Sequence, residues 1–135
     1  MAGTFSQVYI QFVFAVKHRE SLLQKLWRDD IFKYMSGIIA NKNQKALIVN
    51  GVENHVHLFV GIKPSICMSD LVRDVKNNST NFINQQGFTS HKFEWQEGFG
   101  AFSYGHSQLD RVYKYILNQE KHHKKRSFKE EIMII

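Results

Sequence analysis

The chain has one cysteine, one proline and no extended apolar run among its 135 residues. Cys67 has no second cysteine to pair with in its own chain, which fits a reducing compartment. No stretch approaches the ~20 apolar residues that a membrane helix needs. The first residues lack the charged-then-apolar order of a secretion signal, so a cytoplasmic protein is expected. With 43% hydrophobic residues and no low-complexity tract, disorder is excluded and one folded domain over 1–135 is expected. Internal repeats and linkers are missing as well. So is a Gly-rich phosphate loop, which removes the common nucleotide-cofactor fingerprints.

Acidic residues are the minority among the charged ones. Lys and Arg number 18 against 12 Asp and Glu, a formal net charge of +6. Such a balance favours a polyanionic partner. Much of the excess lies in the run Lys121-His122-His123-Lys124-Lys125-Arg126. Charge alone does not separate DNA, RNA and acidic protein, and a basic run is often only a solvated tail. Phe99, Phe102 and Tyr104 lie in a Gly-rich segment, where aromatics either stack on unpaired bases or pack on a core.

Hydrophobic periodicity gives the elements. Val8 to Val16 alternates as a strand with Ile10, Phe12, Phe14 and Val16 on its apolar face. Leu22, Leu23, Leu26, Trp27, Ile31, Met35, Ile38 and Ile39 predict one long amphipathic helix. Lys45 to Val52 and His55 to Ile62 predict two strands joined by a tight turn at Glu53-Asn54. Ser69 is a candidate N-cap for a second helix that stops at Gly87. Phe99 to Gly105 predicts a fourth strand. A third helix follows over Ser107–Glu120, with Ser107 and Asp110 as its cap. The order predicts an α+β protein: a ferredoxin-like split βαβ antiparallel sheet with an added C-terminal helix.

Two of these elements carry chemistry. In the strand His55–Ile62, a period of two puts His55 and His57 on one face. Val56, Leu58, Val60 and Ile62 form the opposite, core face. Paired imidazoles on one strand face suit a divalent metal, although two half-buried histidines without a metal fit the same spacing. In the last helix, Leu109, Val112, Tyr113, Ile116 and Leu117 recur as a core stripe. Gln108, Arg111, Tyr115, Gln119 and His122 form another stripe at ~100° per residue. Tyr113 falls in the apolar stripe. Tyr115 shares its face with Gln119, which makes it the tyrosine positioned for reaction.

Taken with their flanks, these segments resemble a known family. They are His55-Val56-His57, Tyr115-Ile116-Leu117-Asn118-Gln119 and Trp95-Gln96-Glu97-Gly98-Phe99-Gly100-Ala101-Phe102-Ser103. The chain is similar to the single-tyrosine HUH transposases of the smallest insertion sequences, the IS-two-hundred type. That group includes the transposases associated with REP elements. Lys17-His18-Arg19 and Lys76-Asn77-Asn78-Ser79-Thr80 also resemble family positions. One departure is Asn54, where the family often has Asp.

The resemblance implies a DNA transposase that cuts and rejoins single-stranded DNA through a 5′-phosphotyrosine. Tyr115 would be the nucleophile, and His55, His57 and Gln119 would hold Mg or Mn. His122 is an alternative ligand on the same stripe. Candidate DNA contacts are Lys17, Arg19, Lys76, Arg111, Lys121, Lys124, Lys125 and Arg126. The family also implies hairpin-bearing DNA ends and a homodimer whose sites are assembled in trans. The short Gly105-His106 connection points the same way, since it leaves little chain for the last helix to fold back over its own sheet. Rival functions are a non-catalytic single-stranded nucleic-acid-binding module, a host-domesticated relative with the same chemistry, and a small-molecule metalloenzyme.

Overall fold

The computed structural model describes residues 4–123. Four strands form one sheet: β1 (Val8–Ala15), β2 (Lys45–Val52), β3 (His55–Ile62) and β4 (Gly100–Tyr104). Their spatial order is β2-β3-β1-β4, with every neighbouring pair antiparallel. Helices α1 (Arg28–Asn41) and α2 (Met68–Gln86) follow β1 and β3. This is the expected split βαβ arrangement. After β4 a turn of 3₁₀ helix (His106–Gln108) leads into α3 (Leu109–Leu117) and the short α4 (Gln119–His123).

The sheet has two differently covered faces. Ile10, Phe12, Phe14, Val56, Leu58 and Val60 point to α1 and α2 and join Ile31, Met35, Ile39, Leu71, Val72 and Val75 in the main core. Each such side chain contributes about 1.5–3 kcal/mol on burial. The other face carries a smaller cluster of Phe59, Val112 and Ile116, flanked by Tyr9, Tyr104, Leu109 and Tyr115. This second cluster is where α3 docks.

Two boundaries differ from the periodicity. Leu22 to Trp27 is not helical, and α1 begins only at Arg28. The backbone there is committed elsewhere: the Leu23 N–H donates to the Glu53 carbonyl (2.9 Å), and Arg28 donates to the Leu23 carbonyl (3.3 Å). Leu23 and Trp27 are buried all the same, while Leu26 is 95% exposed. Ser69 lies inside α2, whose cap is Cys67 with no side-chain hydrogen bond. Gly87 does end α2, in the left-handed region at φ 66°.

The β2–β3 hairpin that presents the histidines depends on Gly51. A Cβ at this position would overlap the His55 carbonyl oxygen and sit 3.0 Å from the Val56 Cα. Backbone cannot step aside as a flexible side chain can. Gly51→Ala should therefore cost about 2–4 kcal/mol, read as a lower urea midpoint. An unchanged midpoint would show that the hairpin has room to shift.

Candidate active site

β3 is buried from His55 to Val60, and both imidazoles are fully covered. Their ring centroids lie 5.1 Å apart at 66°. Each Nδ1 faces an amide oxygen: His57 Nδ1 is 2.6 Å from Gln11 Oε1, and His55 Nδ1 is 2.8 Å from Asn54 Oδ1. An amide oxygen only accepts, so each Nδ1 carries the proton and donates it. The lone pair of each ring is then on Nε2, the atom a metal would need. Asn54, from the turn before β3, performs this task for His55.

Burial is the main cause that holds the His57 pKa well below its usual 6.5, followed by the neighbouring His55 charge. A hydrogen bond from the Gln119 side chain opposes both. His57 is therefore neutral at neutral pH and ready to act as a ligand. The sign of the linkage follows. Below 6.5 the unfolded chain takes up a proton that folded His57 refuses. Stability from this residue is complete above that value and falls as the pH drops toward the folded pKa. The slope is at most about 1.4 kcal/mol per pH unit. The urea midpoint of the wild type should fall more between pH 7 and pH 5 than that of His57→Gln. Parallel profiles would refute the linkage.

The third candidate ligand arrives from α4. Gln119 is fully buried, and its Nε2 points to the Tyr115 carbonyl (3.4 Å), which leaves Oε1 on the other side of the amide. Oε1 of Gln119 and Nε2 of His55 and His57 are all buried, and the Gln119 side chain lies close enough to His57 to favour its protonated form. No Asp, Glu, Cys or further His completes a metal cluster among the described residues. Two imidazoles and one amide oxygen, all neutral, fit a divalent ion of intermediate hardness that keeps open positions.

The expected single helix over Ser107–Glu120 is broken at Asn118 (φ −98°, ψ 30°). The Asn118 backbone N–H and side-chain amide both donate to the Lys114 carbonyl, at 3.1 and 2.8 Å. This local competition ends α3. Asn50 donates to the last carbonyls of α3, Ile116 (2.9 Å) and Leu117 (3.2 Å). Asn50 sits directly across from His57 in the β2–β3 register, so it ties the end of α3 down beside that ring. Arg28 binds Glu120 at 2.8 Å and secures α4 to the start of α1. At the other end the cap is not Ser107. The Gly105 N–H donates to Gln108 Oε1 (2.8 Å), and the Gln108 N–H returns to the Gly105 carbonyl (2.9 Å).

Tyr115 is half-buried against the Phe59–Val112–Ile116 cluster, on the histidine face of the sheet and one turn from Gln119. Tyr113 and Leu117 do not belong to the buried stripe; they are 40% and 55% exposed. A helix lying on a single surface buries a narrow stripe, here Val112 and Ile116 with Leu109 and Tyr115 at its margins. The Gly105-His106 connection also proves long enough. Within this one chain α3 packs on its own sheet, with Tyr115 on the histidine face and Gln119 beside His57.

The basic candidates are scattered. Lys17 pairs with Glu94 at 3.1 Å, and its hydrogen bond holds the Glu94 carboxyl below the ordinary range. Arg19 is exposed at the end of a 3₁₀ turn. Lys76 donates to the carbonyls of Gln96 (2.9 Å) and Gly98 (2.6 Å), which makes it a brace for the loop before β4. Partial burial lowers its pKa, against the opposing pull of Glu97. Arg111 and Lys121 are exposed. Lys124, Lys125 and Arg126 lie outside the described residues, as does the side chain of His122. Periodicity missed Gln11, Asn50 and the Arg28–Glu120 pair. The available signal for Gln11 was a lone amide in a strand otherwise apolar on both faces.

The family model for IS200-like transposases matches residues 4–119. The chain belongs to that family, whose members cleave DNA and transfer it. Solved structures share the fold. A candidate transposase from Deinococcus radiodurans R1 superposes with a TM-score of 0.71 at 18% identity, covering 88% of this chain and 95% of that one. A REP-associated tyrosine transposase, solved bound to a REP hairpin, gives 0.62 at 14% identity, covering 90% and 74%. No curated protein matches the chain. No helix among the described residues is long and apolar enough to cross a membrane.

Proposed function

We propose that this protein transposes DNA by cutting and rejoining single strands through Tyr115. The observation that carries the reading is the convergence of His55, His57, Gln119 and Tyr115 on one sheet face, with both imidazoles set to offer Nε2. Tyr115 Oη attacks the scissile phosphorus and gives up its proton. The bond to the 3′ oxygen breaks, leaving a 5′-phosphotyrosine and a free 3′-hydroxyl. Another 3′-hydroxyl reverses the step at a new partner, so the phosphodiester energy is retained and no ATP is needed. His55, His57 and Gln119 would hold Mg or Mn, which supplies Lewis-acid stabilisation of charge on the phosphate oxygens. The phenol pKa of about 10 makes such help valuable, since an unassisted tyrosine is a poor nucleophile at neutral pH.

Single-stranded DNA with hairpin-bearing ends is the proposed partner. The net charge of +6 and the fold shared with a hairpin-bound transposase support it. Cytoplasmic residence fits this partner. The test is a labelled single strand carrying the element end, incubated with protein and Mn. A covalent protein–DNA adduct is expected. Salt-sensitive binding without an adduct would instead favour a binding module.

A homodimer that exchanges α3 would rebuild the same contacts between two chains, so the proposal needs a test of connectivity. Subunits carrying His57→Ala are mixed with subunits carrying Tyr115→Phe and allowed to exchange. A site built within each chain gives no recovered cleavage, and that is the outcome expected from the packing of α3 on its own sheet. Recovered cleavage, with the adduct on the His57→Ala chain, would establish assembly in trans.

A further inference from the structure

We propose that Gln11, held in place by Tyr104, is the positioning residue that sets His57 as a metal ligand. The inference rests on the metal-site reading above. Gln11 lies in the central strand β1 and is fully buried, in a position where an amide is costly unless its hydrogen bonds are made. Its two ends do different work. Oε1 accepts from His57 Nδ1 at 2.6 Å, and Nε2 donates to the Tyr104 hydroxyl at 3.0 Å. The second bond comes from the edge strand β4, where Phe102 stands opposite Gln11 and Tyr104 stands opposite Tyr9. The Tyr104 ring is itself fixed edge-on to Phe59 at 6.0 Å. Burial raises the Tyr104 pKa, so its oxygen stays a neutral hydroxyl and a steady acceptor.

The consequence is one of tautomers. Rotating the Gln11 amide by half a turn would present its NH₂ to His57 Nδ1. The ring proton would then have to move to Nε2, and a protonated Nε2 cannot ligate a metal. In the observed orientation the Tyr104 hydroxyl accepts from the NH₂ end and so anchors the amide beside His57. Three strands thus cooperate on one nitrogen: β3 supplies the ring, β1 the acceptor and β4 the anchor. His55 has a simpler arrangement, with Asn54 from the adjacent turn as its acceptor. The two ligands are therefore set independently, and loss of the Gln11 contact should affect His57 alone.

The test uses the full chain and two readouts. The first is the His57 tautomer in the metal-free protein, from long-range ¹H–¹⁵N correlations of the imidazole. The second is Mn affinity, from the spin-resonance signal of free Mn. In the wild type His57 should be the Nδ1–H tautomer. Gln11→Leu should move it to Nε2–H and weaken Mn binding by about 10–100-fold. Gln11→Glu keeps an acceptor and should retain both the tautomer and the affinity. Tyr104→Phe, which removes only a hydroxyl, should weaken Mn binding severalfold.

A Gln11→Leu protein with the wild-type tautomer and affinity would overturn the proposal. If that variant does not fold by circular dichroism, the others decide: Gln11→Glu losing the Nδ1–H form, or Tyr104→Phe binding Mn as the wild type does, overturns it equally. His57→Ala separates the two levels. Equal Mn binding by wild type and His57→Ala would refute the metal site, whereas the tautomer readout still reports on Gln11.

Discussion

Replacing Tyr115 by phenylalanine should abolish the covalent protein–DNA adduct. The change removes one hydroxyl from a half-buried ring, so the packing on Phe59, Val112 and Ile116 survives. Stability should change by no more than about 1 kcal/mol, and single-strand binding should stay near the wild-type level. Cleavage should fall by a factor on the order of 10³ or more, because the other phenol of α3, Tyr113, lies on its exposed side, away from the histidines. Tyr113→Phe is the matched control. Tyr113 is 40% exposed, on the outer side of α3, and its variant should still form the adduct. Loss of the adduct in Tyr113→Phe with retention in Tyr115→Phe would mean that the helix presents its other face to the DNA.

The second large effect is expected from the metal. EDTA should stop cleavage by the wild type, and Mg or Mn should restore it. His57→Ala should lose cleavage that added metal cannot restore, while retaining DNA binding, which draws mainly on basic side chains and phosphates. The variant also strands Gln11, whose oxygen loses its donor. A stability loss of about 1–3 kcal/mol is expected from that buried amide, so the assay belongs at a temperature where the variant is folded. Full cleavage by the wild type after metal is stripped and chelator added would contradict the role given to His55, His57 and Gln119.

Both experiments rest on residues that the sequence exposes to very different degrees. The histidines are legible because strand alternation is local. Once Val56, Leu58 and Val60 are recognised as a core face, His55 and His57 must share the other. The strands Lys45–Val52 and His55–Ile62 have the bounds their alternation predicts, since a tight hairpin fixes both ends at once. Helix ends are less legible. The stretch from Leu22 to Trp27 carries a helical pattern yet is not helical, because its backbone bonds to the distant residue Glu53. The stripe of α3 reads correctly for Val112 and Ile116. It misplaces Tyr113 and Leu117, because periodicity gives a direction and not the width of the surface a helix meets.

Sequence alone determined the order of elements, the paired imidazoles on one strand face and the shared helical face of Tyr115 and Gln119. These follow from periods of two and 3.6, which depend only on neighbouring residues. Tertiary structure decided what those residues do together. It bent the last helix at Asn118, laid α3 on its own sheet with Asn50 as the tether, and brought Gln119 beside His57. It also supplied Gln11, an amide whose partners His57 and Tyr104 come from strands far away in the chain. Such contacts are set by the pairing of β1 with β3 and β4. Strand pairing is a property of the assembled sheet, and no local pattern encodes which nitrogen of a histidine will keep its proton.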